Sequence, residues 1–288
     1  MSKITTYTQI SDHTKYSSQQ KTILELEKKY YIKLLSIFSK QEFLDELRAL
    51  MNDINKRWVR IHRIWGKANV VDLAVERHIN YRIYNDSSFK GIINSVYPSV
   101  ISSDTAFVTD DAVINIDSKT VNVKSNFTDW KRQLVGCNQH SFDNKKNFFA
   151  PNKKIYMPID GFLAKQNHHG KPVLSFFLNT LYSNDLDNEV DSWYEDSNFK
   201  KKPYISKKSN DREKVNEVFT KNIQFACMPN GHLSNLFKNN IFAGVKSYYP
   251  ADDPNPTNTK SMRVDHRILS DRYDSSGKPW KGFAAWKI

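Results

Sequence analysis

The chain has 288 residues, 39 % of them hydrophobic and 13 % aromatic, which is enough to bury a sizeable core and too apolar for a disordered polymer. Lysine and arginine number 43 against 31 acidic residues, and this net charge of +12 favours a polyanionic partner, because cations laid against phosphates release condensed counterions. Two distant cysteines, Cys137 and Cys227, argue against a disulfide scaffold or a Cys-ligated zinc site, and no apolar run approaches the roughly 18 residues that span a bilayer, so the expectation is a cytoplasmic protein with no membrane partner.

In chain order, the first 20 residues are polar and read as an N-terminal arm. From there to residue 50, Ile23, Leu26, Tyr30, Leu34 and Phe38, then Phe43, Leu47 and Leu50, recur at helical spacing. Ser39, three residues before Glu42, predicts a capping box that starts the second helix. A third helix is predicted over Ala68–Tyr84, with Val71, Val75 and Ile79 on one face. Trp58 and Trp65 flank Arg60, His62 and Arg63 and are read as core packing of a basic helix. Asp104–Val123 alternates apolar and polar residues like a hairpin turning at Thr109-Asp110-Asp111. Asn138–Lys154 reads as an exposed loop, His168-His169-Gly170 as a turn between strands, and Ile155–Pro158, Val173–Leu178 and Asn222–Cys227 as strands. Ser183–Asn216, with Lys200-Lys201-Lys202, is either a solvated insertion or an arm facing DNA. A proline-punctuated loop containing Asp252-Asp253 then leads into a short strand from Lys260 to Arg267. Trp280 and Trp286 are read as packing the terminus onto the body or as part of a subunit contact. Helices and strands mix without strict alternation, which predicts a single α/β domain: a central mixed sheet flanked by helices. Its expected parts are helices over 20–85, a catalytic sheet over 100–180, and a DNA-recognition and C-terminal part over 220–288.

The hairpin carries the chemistry. Residues two apart in a strand share a face, so Asp117 and Lys119 lie together, with Val113 and Asn115, in an otherwise apolar run. A hairpin through 109–111 brings Asp104 alongside. Two close carboxylates repel and favour a divalent cation between them. Mg²⁺ takes oxygen ligands, keeps several waters and bridges carboxylates to phosphate. A lysine beside them supplies a fixed positive charge to a transition state. These are the parts of metal-assisted phosphodiester hydrolysis. The same charges also fit an edge strand guarded against aggregation. The basic net charge tips the reading toward a nuclease.

Asp104 … Asp117-Ser118-Lys119 resembles the motif of the PD-(D/E)xK nuclease superfamily, with Ser103 in place of its usual proline. The blocks "TDDAVINIDSKT", "KPVLSFFLNTLYS", "IQFACMPNGHLSNLF" and "TKSMRVDHRIL" resemble the BglI-type restriction endonucleases. The resemblance implies a restriction-endonuclease-like fold and a homodimer that uses Mg²⁺ to cut double-stranded DNA at a short palindromic or interrupted palindromic site. A cognate DNA methyltransferase is expected beside it. Asp104, Asp117 and the Ser118 backbone carbonyl would hold the metal, Lys119 would assist the attacking water, and Glu76 is the candidate helix glutamate. Asp253, Lys260, Arg263 and Arg267 would contact DNA, Arg263 by a bidentate bond to guanine. Asp265 is read as an ion-pair partner that orients the two arginines. Two other classes remain open: a repair or recombination nuclease without sequence specificity, and a DNA-binding protein without catalysis.

Overall fold

The computed structural model describes residues 8–64, 69–97, 104–122, 128–136, 139–141, 170–183, 219–238, 241 and 261–287. Ile155–Pro158, His168-His169, Lys200-Lys201-Lys202, Asp253, Lys260, Trp65 and nearly all of the two expected loops at 138–154 and 183–216 lie outside these residues, as does the side chain of Trp58.

Helix α1 (Ser18–Phe38) begins with a capping box at Ser17. The Ser17 hydroxyl accepts the Gln20 N–H at 3.2 Å, and Gln20 Oε1 accepts the Ser17 N–H at 3.0 Å. Ser39, expected to cap the second helix, instead closes the first: its N–H donates to Leu35 at 2.9 Å. Its backbone is helical (φ −90°, ψ −4°), whereas an N-cap requires an extended conformation, so α2 (Gln41–Ile64) starts without it. Helix α3 (Asn69–Asn85) buries Val71, Val75, Ile79 and Ile83 as one stripe.

The remaining elements are β1 (Ser95–Tyr97), β2 (Thr105–Val108), β3 (Val113–Asn122), α4 (Thr128–Lys131), β4 (Arg132–Gly136), β5 (Val173–Ser183), β6 (Phe219–Met228), β7 (Ser261–Asp265), α5 (His266–Ser270), β8 (Asp271–Tyr273), β9 (Pro279–Lys281) and β10 (Phe283–Lys287). Among the described residues, six strands form the central sheet in the order β1-β2-β3-β5-β6-β10. Only β3 and β5 run parallel; the other neighbours in that sheet are antiparallel. The mixed sheet expected from the sequence is therefore present. β4 pairs with β7, and β8 with β9, as separate ribbons.

One face of the sheet packs against the helices. Tyr31 of α1 stacks on Phe225 of β6 at 5.1 Å, and Phe38 meets the same ring edge-on at 5.2 Å. Phe176 of β5 stacks on Phe225 at 5.8 Å from within the sheet. Each such buried ring contributes about 1.5–3 kcal/mol relative to exposure. Strand alternation puts Asp117, Lys119, Asn179 and Gln224 on the opposite face. The β4–β7 ribbon is bonded to this polar face: Gln133 and Asn179 exchange amide hydrogen bonds at 2.9 and 3.3 Å.

The first and last described segments lie against neighbouring parts of the body and each other. The stretch read as an arm is docked from Thr8 onward, with the Ile10 N–H donating to Leu236 at 2.6 Å and Gln9 bonded to Tyr273. Gly277 takes a positive φ of 78° in the turn before β9, and any Cβ there would lie 2.8 Å from the Ser11 carbonyl. Trp280 packs on Tyr31 at 5.4 Å, so the tryptophans of the tail secure the terminus to the body, one of the two roles expected for them. No described helix is long and apolar enough to cross a membrane.

Candidate active site

Asp104 directly precedes β2, whose register pairs Thr105 with Ile116, so Asp104 arrives beside Asp117. Its Oδ2 accepts the Ser118 N–H at 2.7 Å. That bond ties the entry of β2 to the strand carrying Asp117 and Lys119. Lys119 Nζ lies 2.5 Å from Asp117 Oδ2. Asp117 is 2 % exposed, whereas the Lys119 side chain keeps 27 % of its surface, so Lys119 is the more accessible member of the pair.

Helix α3 brings further carboxylates. Asn80 Oδ1 accepts from Thr105 Oγ1 at 2.6 Å, which fixes the helix against the start of β2. Glu76 lies one turn earlier and Asp72 one turn earlier again, on the flank beside the Val71–Val75 stripe. Glu76, the expected helix glutamate, is near enough to Asp104 for that carboxylate to raise its pKa. Asp72 was not singled out in the sequence; its only signal was the four-residue spacing from Glu76 next to the buried stripe.

These acids are in electrostatic conflict. Burial pushes the Asp117 carboxyl up to about 7, with Asp104 and Glu76 adding to the rise against the pull of Lys119. Asp72 rises to about 6, through burial first and then repulsion from Asp104. Asp104 and Glu76 are raised as well, both mainly by burial. Burial works against the Lys119 ammonium, but Asp117 and Asp104 more than offset it and hold it above its ordinary value.

Asp117 has a second partner, Gln139, whose side-chain nitrogen donates to Oδ1. Gln139 lies in a stretch read from the sequence only as exposed loop, and no pattern marked it.

The DNA-contact residues divide. Arg263 holds a register position in β7 opposite Leu134. The strand expected to continue to Arg267 ends at Asp265, where α5 begins. Asp265 itself causes the break: its side chain accepts the Arg267 N–H at 2.9 Å as an N-cap. Arg267 is therefore not on a strand face with Arg263. It is exposed, and Asp265 grips its guanidinium through Nε at 3.2 Å and Nη2 at 3.0 Å. The expected ion pair exists for Arg267.

The donor set suits a hard divalent cation, being oxygen only and crowded with like charge that a cation relieves. Among the described residues, no group of three His, Cys, Asp or Glu side chains gathers closely enough to cage a metal alone.

A family model described as the N-terminal domain of the type II restriction enzyme MwoI matches residues 19–188, more than half of the chain. Two solved structures share its fold. One is the restriction endonuclease BglI bound to its DNA recognition sequence, with TM-score 0.55 and 14 % identity over 93 % of this chain and 92 % of that one. The other is the tetrameric restriction endonuclease SfiI bound to cognate DNA, with TM-score 0.53 and 13 % identity over 96 % of this chain and 88 % of that one. No curated protein sequence matches the chain.

Proposed function

The chain belongs to the MwoI family of type II restriction enzymes, and on that premise we propose that Asp104, Asp117 and Lys119 are the centre of a Mg²⁺-dependent cleavage site on double-stranded DNA. Family membership makes it a restriction endonuclease, a site-specific deoxyribonuclease, and such enzymes generally use a divalent metal. The observation that carries the residue assignment is the bond from the Ser118 N–H to Asp104, which sets one carboxylate against a buried Asp117–Lys119 pair.

Asp104, Asp117 and the Ser118 carbonyl would hold Mg²⁺, which supplies positive charge at the scissile phosphate and makes water more acidic. The protein's own part is positional. Asp117, clamped between Lys119 and Gln139, is fixed in orientation before DNA arrives. Lys119 sets its ammonium beside that carboxylate, where it opposes negative charge growing on the phosphate. Glu76 and Asp72 add negative potential that raises the demand for a cation.

On this reading the whole chain is one endonuclease domain, active in the cytoplasm as a homodimer on palindromic or interrupted palindromic DNA. A cognate methyltransferase protects the host's own sites. Base recognition lies in the β7 ribbon and the loop before it, with Arg263 on guanine and Asp253 and Lys260 as further contacts. Arg267, held by Asp265, contacts phosphate. The test is digestion of a sequenced plasmid with and without Mg²⁺, followed by mapping of the ends. Double-strand breaks at one fixed sequence, lost in Asp117→Ala, are the expected result. Scattered ends would show a non-specific nuclease, and no breaks in Mg²⁺ would overturn the assignment.

A further inference from the structure

β4 belongs to the separate ribbon with β7, yet it is anchored to the catalytic face at two points. Toward its start, Gln133 is wholly buried and exchanges paired amide bonds with Asn179. Asn179 is the register partner of Lys119, and it also donates to Gln224 at 3.4 Å. At the other end, Gly136 and Gln139 are bonded to each other. The Gln139 N–H donates to the Gly136 carbonyl at 3.0 Å, and the Gly136 N–H donates to Gln139 Oε1 at 2.7 Å. With its oxygen committed to Gly136, the Gln139 amide must present its nitrogen to Asp117, and that nitrogen donates to Oδ1. Between the two anchors lies Leu134, the register partner of Arg263.

We propose that Gln139 is a positioning residue that couples the β4–β7 ribbon to the catalytic carboxylate, so that the ribbon's fit to DNA sets the orientation of Asp117. This rests on the reading of Asp117 and Arg263 given above. A displacement of β7 on a wrong base carries β4 with it through their five register pairs, Arg132–Asp265 to Gly136–Ser261. Gln139, bonded to Gly136, moves with β4, and its bond to Asp117 lengthens or tilts. Hydrogen bonds weaken steeply with misalignment, so a small shift of the ribbon withdraws support from the carboxylate. Cleavage is then more selective than binding.

The experiment compares binding and cleavage on the mapped site and on a duplex with one altered base. Binding is measured in Ca²⁺, which blocks cutting, and cleavage in Mg²⁺ as a single-turnover rate at saturating enzyme. The variants are Gln139→Ala and Gln133→Met, the second keeping side-chain length while removing the amide pair, with Asp117→Ala as control. The ratio of affinities for the two duplexes should stay within about twofold of wild type in both variants, while the ratio of cleavage rates should fall about tenfold or more, through slower cutting of the correct site. An equal loss of rate on both duplexes, or an unchanged cleavage ratio, overturns the coupling. A fall in Gln139→Ala with Gln133→Met at the wild-type ratio also overturns it, leaving Gln139 as a local prop. Normal cleavage by Asp117→Ala would instead overturn the active-site assignment, so the two failures are distinct.

Discussion

Two buried ion pairs divide this molecule, and they are built on opposite rules. Glu27 and Arg272 are fully buried and bonded to each other, joining α1 to β8. Glu27 Oε1 also accepts the Asn230 N–H at 2.7 Å. Arg272 donates to the Cys227 carbonyl and to Gln9, each at 3.4 Å, and lies 5.3 Å from the Trp280 ring. Burial raises the Glu27 carboxyl, against a weaker downward pull from Arg272. Asp117 and Lys119 also form a close pair, but Asp104 and Glu76 crowd it with like charge and Lys119 is only partly covered. Removing one partner of a satisfied buried pair strands the other charge, so its role is structural. A pair left in conflict stores demand for a ligand, here a cation and a phosphate.

The sharpest way to break the comparison is to remove one member of each pair. Asp117→Ala should lower cleavage about 1,000-fold or more, because it takes away both a metal ligand and the partner of Lys119. Folding should survive, and DNA binding without metal should hold or tighten, since a like charge leaves a site that faces phosphates. Lys119→Ala should slow single-turnover cleavage about 100- to 1,000-fold with little change in affinity. Plasmid cleavage and filter binding read these effects, and near-normal cleavage by either variant would remove the distinction between the pairs.

Arg272→Ala should do the reverse. Leaving Glu27 buried and unpaired costs about 3–5 kcal/mol of stability, seen as a lower urea midpoint. Under conditions where the variant remains folded, its cleavage per folded molecule should match wild type. A stable Arg272→Ala with a damaged rate would place Arg272 among the functional charges.

Arg263→Ala lies between these extremes. Losing a bidentate contact to guanine costs about 1–3 kcal/mol of discrimination per half-site. The ratio of specific to non-specific affinity, measured in Ca²⁺, should collapse while the melting temperature holds. An unchanged ratio would move base reading to the region at 138–154.

What the sequence made legible follows from how local each signal was. The β2–β3 hairpin was legible because a period of two exposes any polar intruder, and Asp117 and Lys119 intrude on an apolar run. Helix α3 was legible from Val71, Val75 and Ile79. Ser39 misled because Ser-x-x-Glu fits a helix start in composition, and only the backbone angle shows that it ends one. Gln139 and Arg272 were not legible. Each works through partners far along the chain, 22 residues for Gln139 to Asp117 and 245 for Arg272 to Glu27, and no local pattern marks such a bond. Asp265 was read correctly as a partner of Arg267, but its capping role, which ends the strand, needed the fold.

The smallest expected effect tests whether the closed side of the molecule excludes new charge as firmly as the catalytic side gathers it. His266 opens α5 and stacks on Phe283 of β10 at 4.4 Å. Its Nε2 is buried with no hydrogen-bond partner among the described residues. Burial therefore pushes its pKa down from 6.5 to about 4, against a weaker pull from Asp265. Between those values the unfolded chain binds a proton that the folded chain refuses. Stability supplied by the neutral ring is thus present above the unfolded value and is lost as pH falls from about 6.5 toward 4, at up to about 1.4 kcal/mol per pH unit for one group. His78 and His140 are also lowered, mainly by burial, and leave a residual slope of the same sign. His266→Phe keeps a ring against Phe283 and cannot take up the proton. The unfolding free energy of this variant, from urea titration, should match wild type near pH 7.5 and exceed it at pH 5 by on the order of 1 kcal/mol. Parallel pH profiles for the two proteins would mean that the ring takes a proton as readily folded as unfolded, and that this corner of the closed region admits charge after all.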